Sequence, residues 1–464
     1  MNYTQKLSKY IVDLRYEDLP DSVVQQVKML TLHTIGAALA AAGTKQTKCV
    51  MEIVQEKGGH PHSTVWGSRN LKVPMEDAAF ANATMADVLD WEDCGWTGHP
   101  LAGAIPVAYA VAEKEHLSGK KYIEAVTAAY EVYQRLAMSV QPKPSDWGKA
   151  ERWKGWGLVS WQIYAASVAA AKLLGLDEVK TATHFGIALH QMNVVGPKRG
   201  GSDVYHFAHG FCAKNGLNSA VVAKKGIEDY DTALDGNDGM WSQVSDTVDW
   251  SWYEKGLGER YLIEETLLKH WPANMWIQAP LEILDQMYRE HPFRTEEIRK
   301  IRVSPVVDLF SWPITFPMGS LGAQFSLGYC FTAYLNDQDP SADWFSEDKL
   351  QGGVLENLQD KIEFFGEQRN PLEQFEFFWK SDFPETAMEI ELTDGTRMKK
   401  ILRYPKGHPK NPFTWEEEAD GFRRKAACLT EEQKERFIEA VRKLEDVEDL
   451  SQLSSCLLVQ ECQS

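Results

Sequence analysis

Two carboxylates and an imidazole, Asp90, Asp93 and His99, share the short stretch "DWEDCGWTGHP" at residues 90–100. A carboxylate and an imidazole on neighbouring loop positions can work on one substrate, one positioning it and the other moving a proton. The alternative is a solvated helix end with a histidine before a turn. Cys94 in the same stretch could act as a nucleophile, but no base is identifiable beside it, and a free thiol is usually structural. A second cluster is "VGPKRGGSDVYHFAHGF", residues 195–211, where Lys198 and Arg199 precede a glycine pair and Tyr205, His206 and His209 follow. Glycines admit a ligand close to the backbone, and the cations could hold carboxylates. The spacing of His206 and His209 suits metal ligands on a helix, yet no third ligand is evident. No metal site is therefore expected, and a polar loop is the competing reading. In "LLKHWPANMWIQAP" Lys269 stands before Trp271-Pro272, where a hinge could place it in a cleft. In "TFPMGSLGAQFSLGYCF" Tyr329 could donate a proton or fill core.

Stepping outward, 464 residues exceed what one simple core holds, so two domains are expected. A net charge of −18 argues against a nucleic-acid partner, which needs a basic face. An anionic ligand would need cations gathered locally against that field, which makes each Lys, Arg and His near a candidate site informative. The seven cysteines are scattered, with no CxxC pair, and fit a reducing compartment with free thiols. No signal-peptide stretch opens the chain and no apolar run approaches the ~20 residues of a membrane span. A cytoplasmic protein without a membrane partner is expected. There is no GxGxxG after a strand and no Walker sequence, so no nucleotide cofactor is expected.

The elements that must position these residues change in character along the chain. Up to about residue 265 the sequence reads as helical: "VVQQVKMLTLHTIGAALAAAG" ends at Gly43, a C-cap candidate, and later segments are Ala-rich, allowing close helix approach. Beyond it, "IRKIRVSPVVDLF" and "TAMEIELTDGTRMKKILRYP" carry strand patterns, with Asp394-Gly395 predicting a hairpin. Helix returns at "LTEEQKERFIEAVRKLEDV", where Thr430 and Gln433 have capping-box spacing. There Phe437, Ile438, Val441 and Leu444 form an apolar stripe that needs a partner. The fold class expected is mainly α. Residues 1–265 and 410–464 would form a large all-helical domain, and 266–409 a smaller α+β lid domain.

These stretches, in this order, resemble the MmgE/PrpD family of 2-methylcitrate dehydratases and cis-aconitate decarboxylases. The resemblance rests on "ANATMADVLDWEDCGWTGHPLAGAIPVAYAVAE", "AASVAAAKLLGLD", "AHGFCAKNGLNSAVVAKKGI" and "KHWPANMWIQAPLE", and runs over nearly the whole chain. It implies the two-domain architecture above, a homodimer and a cofactor-free pocket between the domains. It also implies pocket roles for Asp90, His99, Lys269 and Tyr329. His99 would move the proton, Lys269 would contact a carboxylate or enolate, Tyr329 would donate a proton, and Asp90 would position His99 or a substrate hydroxyl. Asp93 would support them from behind.

Several positions depart from that pattern. Cys94 stands where the family has a small hydroxyl residue, and Leu158, after Gly155-Trp156, where it has a second histidine. Tyr205 stands where it has a lysine, with Lys198 or His206 as possible substitutes, and Trp276 where it has another histidine. The changes imply a pocket with fewer carboxylate contacts and more hydrocarbon. The activity implied is a lyase, dehydratase or decarboxylase, acting on a citrate-like or alkyl-substituted polycarboxylic acid by proton transfer next to a carboxylate. An isomerase or epimerase using the same pocket is the alternative, as is a non-catalytic or repurposed relative.

Overall fold

Small residues decide how the helices pack. A Cβ at Gly210 would lie 2.6 Å from the carbonyl oxygen of Phe80, and one at Gly216 2.5 Å from that of Ile163. Only glycine lets these backbones approach so closely. The structure, a computed structural model, describes residues 1–95, 98–140, 162–192, 203–305, 319–352, 358–366 and 382–459. It is mainly α, with a smaller α+β part.

In chain order the helices that build the first core are α1 (Tyr3–Asp13), α2 (Asp21–Ala40), α3 (Lys45–Lys57), α4 (Met75–Asp87), α5 (Pro100–Lys114), α6 (Gly119–Ser139), α7 (Gln162–Leu173), α8 (Glu178–Leu189) and α9 (Val204–Lys224). Helices α4, α5 and α7 lie against α9, and α6 against α7. The core between them is dominated by Ala, Val, Leu and Tyr. Helix α2 ends before Gly43, which takes φ +86° in the turn that follows rather than capping the helix directly. Two short antiparallel pairs tie the connections: β1 (Ser63–Thr64) with β2 (Lys72–Val73), and β3 (Asp93–Cys94) with β4 (Leu267–Leu268).

The α+β part centres on a four-stranded sheet in the order β6 (Ile362–Phe364), β5 (Ile298–Ser304), β7 (Thr386–Leu392), β8 (Arg397–Leu402). Strand β5 runs parallel to β6 and antiparallel to β7. In β7 alternate residues Met388, Ile390 and Leu392 are buried against the helix Gln278–Glu290 and its neighbours, the period-2 pattern of a one-sided sheet. The hairpin expected at Asp394-Gly395 is present, with Gly395 at φ +91°. The helix Glu431–Arg442 carries the expected Thr430–Gln433 capping box, and Phe437, Ile438, Val441 and Leu444 pack back into the helical core.

Candidate active site

Helix α4 runs out at Asp87, and the chain reverses through Asp90, whose φ of +49° lies in the left-handed region. A short polar side chain tolerates that conformation better than most. Asp90 N–H donates to the Asp87 carbonyl at 2.9 Å, closing the turn. The chain then extends into β3. Because β3 pairs Asp93 with Leu268, Glu92 comes opposite Lys269, whose N–H donates to the Glu92 carbonyl. The Lys269 ammonium reaches Asp90 Oδ1 at 2.5 Å and Glu92 Oε1 at 3.0 Å, wholly buried. After the Gly95–Gly98 turn, His99 precedes Pro100 at the first position of α5. Its carbonyl accepts from Gln162 Nε2 at 2.7 Å. Its Nδ1–H points at Glu92 Oε1, 2.5 Å away, and at the Asp93 carbonyl. Nε2 is left as the nitrogen that can face a ligand.

A second layer lies behind. Asp87 Oδ2 meets His206 Nδ1 at 2.7 Å, and Asp87 Oδ1 lies 3.1 Å from His209 Nε2. The His209 ring stands edge-on to His99 at 5.7 Å, and Tyr205 packs against both α9 histidines. Tyr130 donates its hydroxyl to Asp93 Oδ2 at 2.6 Å.

Burial splits the ionisation of these groups. Burial and the Lys269 charge act to lower the His99 pKa, but Glu92, helped by Asp90, carries it up to about 9. Burial, with the Glu92 charge, pushes Asp93 up to about 8 against Tyr130, His99 and Lys269, so it is largely protonated at neutral pH. Burial also pushes His209 down to about 4, aided by the charge on His99. Burial raises Asp90 above the usual carboxylate range against the pull of Lys269. Burial works against Glu92 too, but Lys269 and His99 hold it ionised. The Cys94 thiol is pushed up by burial and stays protonated, which removes it as a nucleophile. Asp90 Oδ2, Glu92 Oε2, His206 Nε2 and His209 Nδ1 are buried without hydrogen-bond partners. Such orphans are costly, and they cluster where a ligand completes a site.

Ligand atoms of Asp87, Glu92 and His99 lie within 4.8 Å of one another, a carboxylate–imidazole set that could hold a metal ion. Here Glu92 already meets the Lys269 ammonium and the His99 imidazole, which supply the positive charge a cation would bring.

Asp90, Asp93, Cys94, His99, Tyr205, His206 and Lys269 thus come together in the structure. Tyr329 does not join them: its hydroxyl donates to the Trp344 carbonyl at 2.7 Å and its ring stacks on Phe345. Trp276 packs its ring against Phe383 in the α+β part. Trp156, Leu158, Lys198 and Arg199 lie outside the described residues. Asp87, Glu92 and Tyr130 were not singled out in the sequence, and His209 stood out only as a possible metal ligand beside His206. A signal for Glu92 was present: alternation through "DWED" puts Asp90 and Glu92 on one face and Trp91 and Asp93 on the other. Asp87 is the partner that His206 and His209 lacked in the sequence, but nothing in their spacing points back to α4.

Comparison with known proteins gives relatives along nearly the whole chain. Human cis-aconitate decarboxylase is 25% identical, over 98% of this chain and 94% of its own length. A cis-aconitate decarboxylase-like protein of Aspergillus oryzae is 24% identical over 97% and 96%, and the cis-aconitate decarboxylase of Aspergillus terreus 23% over 98% and 96%. Residues 5–253 match the MmgE/PrpD N-terminal domain, carrying the acidic turn, His99 and the α9 histidines, and residues 271–446 match the MmgE/PrpD C-terminal domain, beginning two positions after Lys269. The chain belongs to the MmgE/PrpD family.

Proposed function

We propose that this protein is a lyase acting on a citrate-like or alkyl-substituted polycarboxylic acid by proton transfer next to a carboxylate. The observation that carries the reading is one pair of histidines. Two titratable groups pushed apart by their surroundings mark an acid/base division. His99, charged at neutral pH through Glu92, is a loaded proton donor, and His209 beside it stays neutral. A carbanion or enolate left by loss of carbon dioxide needs such a donor, and a departing hydroxide needs one too. Lys269 offsets charge developing on a substrate carboxylate once it exchanges one of its two acidic partners for the substrate, and Asp90, with one oxygen unpartnered, positions a substrate hydroxyl. The names of the relatives, cis-aconitate decarboxylases, support a tricarboxylate of this size.

The same reading includes the helical and lid domains at the boundaries expected from the sequence, a homodimer, and full activity without nucleotide, flavin or divalent metal. Purified protein incubated with cis-aconitate, citrate or 2-methylcitrate in deuterated water tests the central step. Release of carbon dioxide with solvent deuterium in the product, or release of water, is expected. Deuterium exchange without elimination would make the protein an isomerase, and neither elimination nor exchange with any of the three acids would refute the reading.

A further inference from the structure

Next to the acidic turn, between Trp91, Lys269 and the helix Trp415–Lys425, lies a cavity of about 240 Å³. Its floor is Trp91 and the 269–271 segment, one wall is the helix Trp415–Lys425, and the rim includes residues 338–340. It is below the ~300–1,000 Å³ of drug-sized pockets, a size for a small metabolite.

Three polar groups give this cavity its character. Lys425 is buried with its ammonium 4.8 Å above the Trp91 ring. Among the described residues it has no carboxylate at ion-pair distance, and its one hydrogen-bond neighbour is His33 Nδ1 at 3.3 Å. That nitrogen is shared with Glu418 Oε1 at 2.9 Å, which leaves the buried His33 Nε2 unpartnered. Arg424, next along the helix, lines the same cavity and makes no ion pair among the described residues. The neighbouring acids are mostly engaged: Glu417 with Lys406 and Glu418 with His33, with Asp339 alone at the rim. The Glu418 charge acts on Lys425 only beyond ion-pair distance, and a buried ammonium without a direct ion pair is costly. Two cations that make no ion pair among the described residues meet at one cavity, the more notable in a chain of net charge −18. Burial holds the Lys425 amine down at about 8, against the pull of the Glu418 charge.

We infer that this cavity binds a small oxyanion with at least two negative charges, a polycarboxylate or a phosphate, between Lys425 and Arg424. Charge-assisted hydrogen bonds from the ammonium and the guanidinium would hold the anion, and Trp91, Trp271 and Phe413 would exclude water around it. The site is separate from the His99 cluster and does not depend on the reaction assigned there. It shares a wall with that cluster, because Lys269 lines the cavity while its ammonium is turned to Asp90 and Glu92.

Titration calorimetry of the full chain with inorganic phosphate and, separately, with citrate tests this inference and tells the two sources of anion apart. Wild-type protein is expected to bind at least one of them at a site that Arg424→Ala weakens by about tenfold or more and Lys425→Met abolishes. Arg424 is exposed, so its variant stays folded whatever the other does. Unchanged isotherms in Arg424→Ala, or no saturable binding of either anion to the wild type at millimolar concentration, would overturn the site. So would a citrate signal removed by His99→Ala and untouched by Arg424→Ala.

Discussion

The molecule carries two dense networks of charge, one buried at the acidic turn and one on the open face of the sheet. On the sheet, Glu389 pairs with Arg302 at 2.8 Å and Lys399 at 2.9 Å, and Glu391 with Arg299 and Arg397. These pairs, 2.8–3.1 Å, overlap in length with the 2.5–3.0 Å contacts of Lys269 and His99 at the acidic turn, and acids face bases in both. Their surroundings are not. Water screens the sheet network, and the Glu389 pKa is merely lowered by its Lys399 and Arg302 partners. At the acidic turn desolvation pushes both His99 and His209 down, Glu92 and Asp90 lift His99 back above its ordinary value while His209 stays low, and carboxylate oxygens are left unpartnered among the described residues. Distances alone do not distinguish a reactive cluster from a decorative one; solvent does.

The sharpest way to break this comparison is to remove one partner from each network. Lys269→Met leaves two buried carboxylates facing each other, which should cost about 3–5 kcal/mol in chemical denaturation. It should also lower turnover about 100-fold or more on the true substrate. A loss below about 1 kcal/mol, the range of exposed pairs, would mean the cluster is better solvated than its burial implies.

His99→Ala should reduce turnover by about 100- to 10,000-fold while shifting the melting temperature less than Lys269→Met does. The pH profile gives the matching sign. The folded His99 pKa, about 9, lies above the ordinary value of about 6.5. Its ion pair with Glu92 therefore stabilises fully below about pH 6.5 and is lost as pH rises through about 9. Turnover should fall over the same upper range, and in His99→Gln the stability loss centred there should disappear.

Tyr329→Phe separates the packed tyrosine from the cluster. Losing its bond to the Trp344 carbonyl should cost about 1 kcal/mol in thermal unfolding, with turnover within about twofold of wild type. A large drop in turnover would return Tyr329 to the pocket. The smallest effect belongs to the sheet: Glu389→Gln should change stability by less than about 1 kcal/mol, and the change should fade as salt is added.

Much of this was legible in the chain. The Ala-rich helical segments, the Asp394-Gly395 hairpin and the Thr430–Gln433 capping box are local features, decided by neighbouring residues. So was the grouping of Asp90, Asp93 and His99, which one turn and one short strand hold together. Glu92 was passed over because its role depends on the lysine opposite, and Asp87 because its partners sit on α9, far along the chain. Tyr329 points the other way for the same reason: its residue type suits a proton donor, but its rotamer and packing commit the hydroxyl to a backbone carbonyl.

By itself the sequence determined the mainly α character, the strand pattern of the α+β part and the residue types gathered at residues 87–99, because helix periodicity, turn chemistry and charge are written residue by residue. Only the tertiary structure decided which of those residues are reactive. The β3–β4 register brings Lys269 onto Glu92, burial removes the water that would level their pKa values, and packing of the helix Trp415–Lys425 leaves Lys425 over Trp91 without a direct ion pair among the described residues. Register, desolvation and long-range packing are properties of the folded chain, and no local stretch of sequence contains them.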